Sequence, residues 1–172
     1  MKRKGLPEIR VTDDYDALVG FFIENGLEFS VNDEVPQDLI KCWDAHMDGA
    51  SLDGAPGPAG PVAPQGEAAG GLLVGGCVLA LREGEYIIDG IAVDARLRHM
   101  GLGESLLGAA LQEIRDLGGK RLFLVARAPD FFRKQGFATV GRDAAPNFFE
   151  CFSCPQYNLS CFPEVMRLDI KI

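Results

Sequence analysis

Apolar residues along this chain change period several times, and each change predicts an element. Thr12-Asp13-Asp14 offers N-cap oxygens ahead of Leu18, Phe21 and Phe22, and Asn25-Gly26 supplies a stop, which predicts a first helix. Pro36 suits a first helical position. Leu39, Ile40, Trp43 and Met47 then recur at helical spacing up to Gly49, which predicts a second helix. From Ser51 to Gly70 the period vanishes: nine of twenty residues are Gly or Pro, the composition of a flexible loop too short to link domains.

Beyond that loop, the apolar run Leu72 to Leu81 reads as a buried strand. Arg82-Glu83-Gly84-Glu85 reads as a hairpin turn into an antiparallel Tyr86–Val93. From Glu104 to Leu117, the residues Leu107, Ala110, Leu111, Ile114 and Leu117 form one apolar stripe, closed by Gly118-Gly119, and this predicts an amphipathic helix. Leu122 to Ala126 follows as another buried strand, so strand, helix and strand make a right-handed parallel crossover. At the C-terminus Met166, Leu168, Ile170 and Ile172 alternate with Arg167, Asp169 and Lys171, the period of a half-exposed strand. No internal repeat is visible.

Composition narrows the class. The 172 residues suit a single domain, able to bury about two thirds of its unfolded surface. The longest apolar runs fall short of the ~20 residues a membrane span needs. A net charge of −8 gives no general attraction to nucleic acid or anionic lipid. The basic start Met1-Lys2-Arg3-Lys4-Gly5 leads into Leu6-Pro7-Glu8 rather than an apolar stretch, so no secretory signal is read and a cytoplasmic protein is expected. Five cysteines, an odd count, are then expected to be reduced thiols.

The candidate chemistry lies where the strand Ile87–Val93 meets Arg98-His99-Met100-Gly101-Leu102-Gly103. Glycines at 101 and 103 permit a tight turn, and the helix they open presents free N–H groups and a positive dipole end to an anion. A dinucleotide fold would place a third glycine at 106, where Leu stands, and an acid after the next strand, where Ala126-Arg127 stands. A nucleotide-triphosphate loop would need Gly-Lys followed by Ser or Thr, and none occurs.

Two motifs together resemble the GNAT superfamily of acyl-CoA-dependent N-acyltransferases. One is Ile91-Ala92-Val93-Asp94 leading to Arg98-x-x-Gly101-x-Gly103, similar to that family's pyrophosphate signature. The other is Phe131-Phe132-Arg133-Lys134-Gln135-Gly136-Phe137, similar to its Phe-Tyr-x-Lys-x-Gly-Phe segment. The resemblance spans Leu72 to Val140. It implies an α+β fold: a mixed, strongly twisted sheet flanked by helices, with a splayed parallel strand pair that receives the pantetheine arm. Acetyl-CoA is the implied cosubstrate, and a small-molecule amine the implied acceptor. Leu102 and Gly103 are expected to donate backbone N–H groups to the pyrophosphate beside Glu104, with Arg98, His99, Met100 and Gly101 shaping the loop; Ile91, Ala92 and Val93 would offer backbone to the thioester and pantetheine. A homodimer is left open.

Acyl transfer to an amine needs a proton acceptor, and Asp89 is the candidate catalytic base, placed by alternation on one face with Ile91 and Val93; Glu85 is the reserve. A carboxylate satisfied by its neighbours is the competing reading of Asp89. Phe132 stands where many of these enzymes carry a tyrosine that protonates the leaving thiolate, so Tyr157 and Ser153 are the remaining acid candidates. The stretch Phe123 to Phe132 is similar to the acetyltransferase domain of N-acetylglutamate synthases, which points to glutamate or another amino acid, with Arg127 binding the substrate carboxylate. An arginine paired with Asp130 is the alternative. A non-catalytic CoA-binding sensor or partner domain is the rival function. Cys151, Cys154 and Cys161, in a cysteine-bearing segment over 146–172, are read as packed thiols. Zinc is the alternative, with Cys42 or His46 one helical turn apart as fourth ligand; no metal is expected.

Overall fold

A computed structural model describes residues 7–26, 39–47, 71–146 and 164–171. Seven strands form one mixed sheet: β1 (Glu8–Thr12), β2 (Leu39–Met47), β3 (Leu72–Arg82), β4 (Glu85–Val93), β5 (Arg121–Ala126), β6 (Ala138–Thr139) and β7 (Glu164–Asp169). Their order is β1-β2-β3-β4-β5-β7-β6. Every neighbouring pair is antiparallel except β4 and β5. The helices are α1 (Tyr15–Glu24), α2 (Leu102–Asp116) and the short α3 (Pro129–Lys134).

Most of the expected elements form for the expected reasons. Asp14 caps α1, its side chain accepting from the Ala17 amide at 3.1 Å. Glu83 and Gly84 both take positive φ, 51° and 80°, the backbone a two-residue hairpin turn requires. The stripe on α2 is Leu102, Leu106, Leu107, Ala110 and Ile114, all buried, whereas Leu117 is 51% exposed at the helix's C-cap.

The second expected helix is a strand. Residues 39–47 form β2, paired to β1 on one side and β3 on the other. Trp43 and Met47 are four apart, and four is an even number, so they share a face of a strand as readily as of a helix, while an irregularity between Leu39 and Lys41 leaves Leu39 against the cluster of Tyr15, Leu18 and Cys42. Ala45, buried between Trp43 and Met47, completes the alternation.

One dipeptide of β3 seats both long helices. A Cβ on Gly75 would stand 3.1 Å from Leu102 and 3.2 Å from Leu106 of α2; on Gly76 it would stand 2.4 Å from Leu18 of α1. Consecutive strand residues face opposite ways, so α2 covers one face and α1 the other, close enough that a methyl would be crowded at Gly75 and would force a shift at Gly76. The larger core lies under α2 (Trp43, Cys77, Leu79, Ile88, Leu124), and a second lies under α1 (Tyr15, Leu18, Phe22, Cys42, Val78).

Candidate active site

The parallel pairing of β4 and β5 is confined to Tyr86 with Leu122 and Ile87 with Phe123. Beyond those pairs β4 runs on to Val93 and β5 to Ala126 with no ladder between them, which is the expected splay. Backbone groups along such a gap are available to an amide-bearing ligand. At the paired end Arg121 donates to Glu85 from Nε at 3.0 Å and from Nη2 at 2.5 Å. That engagement, at the hairpin end of β4, removes Glu85 as a reserve base.

A β-bulge shapes the open end. Val78 pairs with Gly90 and Leu79 with Ile88, so Asp89 is the extra residue. Ile88 packs in the core under α2, and Ile91 and Val93 pack against that same core; Ala92 packs under α1. Two residues, Asp89 and Gly90, therefore fill the interval between α2-facing neighbours, and strict alternation fails at this point. The expectation that Asp89 shares a face with Ile91 and Val93 is corrected accordingly: its carboxylate lies toward the α1 side. There its side chain is 6% exposed, and its Oδ1 stands 3.8 Å from Arg82 Nη2. Burial first, and then the Asp89 charge, push the nearby Cys42 thiol up to about 11. A thiol so held stays protonated at neutral pH and is no nucleophile. Cys77, fully buried, is likewise raised.

Past Val93, the chain makes the cradle. Asp94 caps a single 3-10 turn, Ala95–Leu97, by accepting from the Arg96 amide at 2.9 Å, and takes the Arg96 guanidinium at 3.0 and 2.9 Å. The Arg96 hydrogen bond holds the Asp94 carboxyl below its ordinary range. His99 and Gly101 adopt positive φ, 75° and 80°. A Cβ on Gly101 would meet open space, so backbone conformation alone asks for glycine there. No side chain caps α2. Its first helical bond is from the Ser105 amide to Gly101 O at 3.0 Å, so the amides of Leu102, Gly103 and Glu104 have no acceptor within the helix. They stand at the positive-dipole end of a 15-residue helix, the kind of terminus that suits an anion. Gly103 is spare for another reason: a Cβ there would stand 3.3 Å from the Phe131 ring and 3.8 Å from Val93.

Phe132 is 7% exposed and stacks edge-on against Phe131 and Phe137, with centroids 5.0 and 5.6 Å apart. It is a core residue as well as one without a hydroxyl. Arg127 follows β5 and donates from Nη1 to the carbonyl of Gly26 at the end of α1. Asp130 is taken instead by Arg133 at 2.7 Å, so the alternative pairing of Arg127 with Asp130 does not occur. Sequence reasoning missed Arg82, assigned to a turn. Its signal was the alternation Val78, Ala80, Arg82, which puts it on the α1 face of β3.

The helical turn expected to separate Cys42 from His46 does not form. Cys42 and His46 lie on a strand, where four residues span about 13 Å, and His46 Nδ1 accepts from Arg10 at 2.9 Å. Among the described residues no cluster of His, Cys, Asp and Glu could hold a metal. Cys151, Ser153, Cys154, Tyr157 and Cys161, and the expected loop over 51–70, lie outside the described residues. Among the described residues no helix is long and apolar enough to cross a membrane.

Comparison with known proteins agrees with this geometry. The ribosomal-protein-S18-alanine N-acetyltransferase of Escherichia coli superposes with a TM-score of 0.60 at 16% identity, covering 97% of this chain and 96% of its own. N-acetylglutamate synthase from Neisseria gonorrhoeae, solved with coenzyme A and N-acetyl-glutamate, gives 0.63 at 18% identity, covering 99% of this chain and 36% of that larger one. A Mycobacterium tuberculosis protein solved with CoA and NLQ gives 0.58 at 21%, covering 96% and 100%. Identities this low speak for the fold. The sequence pattern of the acetyltransferase (GNAT) family, however, matches residues 27–137, more than half of the chain. The chain belongs to the acetyltransferase (GNAT) family, and is accordingly an N-acetyltransferase with acetyl-CoA as its cosubstrate.

Proposed function

We propose that this chain acetylates the α-amino group of a small carboxylate-bearing amine, glutamate or another amino acid, by direct transfer within a ternary complex. The observation that supports this reading is that Asp89 on β4 and Arg127 just past β5 both lie toward the α1 side of two strands that diverge, one a carboxylate suited to accept a proton and the other a guanidinium suited to bind a carboxylate. The N-acetyl-glutamate bound to the Neisseria gonorrhoeae enzyme supports the acceptor class.

In this mechanism the amides of Leu102, Gly103 and Glu104 hold the pyrophosphate, with Arg98, His99, Met100 and Gly101 setting the loop, while the β4 backbone from Ile91 to Val93 holds the pantetheine arm and polarises the thioester carbonyl. Asp89 accepts a proton from the substrate ammonium. The freed lone pair attacks the carbonyl carbon, the C–N bond forms, the C–S bond breaks to release CoA as its thiolate, and the second proton lost by the nitrogen passes to that thiolate or to solvent. Phe132 supplies no proton, but a thiol with an ordinary pKa near 8.5 leaves acceptably as thiolate. Arg127 would exchange the Gly26 carbonyl for the substrate carboxylate, gaining a second, charge-assisted hydrogen bond.

Thiol release measured with glutamate, aspartate, lysine and spermidine tests this. Glutamate or another amino acid is expected to show the highest kcat/KM, and Arg127→Lys to raise its KM about tenfold, because Lys keeps the charge but loses the planar fork. Preference for spermidine, or indifference to Arg127→Lys, overturns the carboxylate assignment.

A further inference from the structure

We propose that Arg82 is a positioning residue for Asp89, its guanidinium keeping that buried carboxylate ionised so that it enters the reaction as a proton acceptor. This rests on the reading of Asp89 as the base and adds a residue to it. A carboxyl group whose side chain is 6% exposed would favour its neutral form, which accepts no proton, unless a cation offsets the lost hydration. Arg82 ends β3 on the same face, 20% exposed, with Nη2 at 3.8 Å from Asp89 Oδ1.

At 3.8 Å the guanidinium charge favours the carboxylate anion over the neutral acid.

Among the described residues, the other titratable and charged groups on the elements around Asp89 are the following. From β2 comes Cys42, a thiol whose raised value already registers the Asp89 charge. From α1 comes the Tyr15 phenol, in the cluster with Cys42 and Val78. Arg127 is engaged at Gly26. Arg142 belongs to the turn before Ala145, which packs on the Ala80, Ile87 and Phe123 cluster, and it serves as the comparison cation.

The test measures kcat/KM against pH with the best amine, and the NMR titration of the Asp89 carboxyl carbon, in the full chain and its variants. Arg82→Gln is expected to move the acidic limb and the carboxyl midpoint upward together by about one pH unit, which is tenfold in rate below the limb and near-parental rate at pH 9. Arg82→Lys should restore most of the shift, and Arg142→Gln should leave both unmoved. Arg82→Met keeps the stem without the charge and replaces the Gln variant should that fail to fold. A merely structural role would lower the rate equally at every pH. An unmoved carboxyl midpoint in the neutral variants, or a larger shift from Arg142→Gln, overturns the proposal. Parental turnover in Asp89→Asn would instead overturn the base reading, and the carboxyl midpoint would still decide whether Arg82 sets the ionisation of Asp89.

Discussion

On the α2 face the proposed site is backbone: the amides opening α2, a loop turned by His99 and Gly101, and the edge of β4 beyond its pairing with β5. On the α1 face the proposed site is side chains, those of Asp89, Arg82 and Arg127. The first arrangement suits a ligand of fixed chemistry, because amide groups and a helix dipole recognise phosphate whatever the side chains are. The second suits a ligand that differs from enzyme to enzyme, since exchanging one side chain alters charge and shape without disturbing the frame.

The sharpest way to break that comparison is to remove one function and ask whether the other face notices. Asp89→Asn should lower turnover at neutral pH about a hundredfold or more while leaving acetyl-CoA affinity, measured by calorimetry, at the parental value. Loss of both would mean that the faces are one site. Gly103→Asp should act in the opposite sense, lowering acetyl-CoA affinity about tenfold to a hundredfold, or roughly 1.4–2.8 kcal/mol, by setting a negative charge at the pyrophosphate position. Circular dichroism checks that the crowding against Phe131 has not unfolded the chain; unchanged affinity in a folded variant would remove the phosphate assignment.

Two smaller effects sharpen the contrast through stability. Gly76→Ala forces a methyl to 2.4 Å from Leu18, and urea unfolding should show a loss of about 1–3 kcal/mol. Arg96→Gln should cost about 0.5 kcal/mol at pH 7, because the pair is partly exposed. The sign follows from Asp94: its folded value lies below the ordinary 3.8, so its contribution is present above that pH and fades as pH falls through the folded value. Parent and variant should therefore converge in acid, and a difference that persists at pH 2 would mean that Asp94 is not its source.

The cradle is readable in the chain because it needs particular backbone conformations, and glycine is how a sequence writes them: Gly101 at φ 80° is the plainest case. The α2 stripe and the 72–93 hairpin are readable because burial repeats with a period. The acceptor side resists reading. Asp89 turns toward α1 through a bulge that depends on where β3 pairs, and nothing local to Ile88-Asp89-Gly90 announces it. Residues 39–47 carry a spacing common to both periods, so the partners, β1 and β3, decide their form. β1 itself passes unnoticed because its alternation, Glu8-Ile9-Arg10-Val11-Thr12, lasts only five residues and carries two charges, as suits an edge strand.

The glycines at 75 and 76 bear on evolution as well as packing. They work as a caliper: both helices rest on adjacent residues of one strand, so the spacing between the start of α2 and the Leu18–Phe22 turn of α1 is the thickness of the sheet at that point. Neither helix can back away without opening a void over its glycine. A descendant adapting to a longer acceptor would therefore have to trim side chains such as Arg127, because the jaws of the caliper do not open.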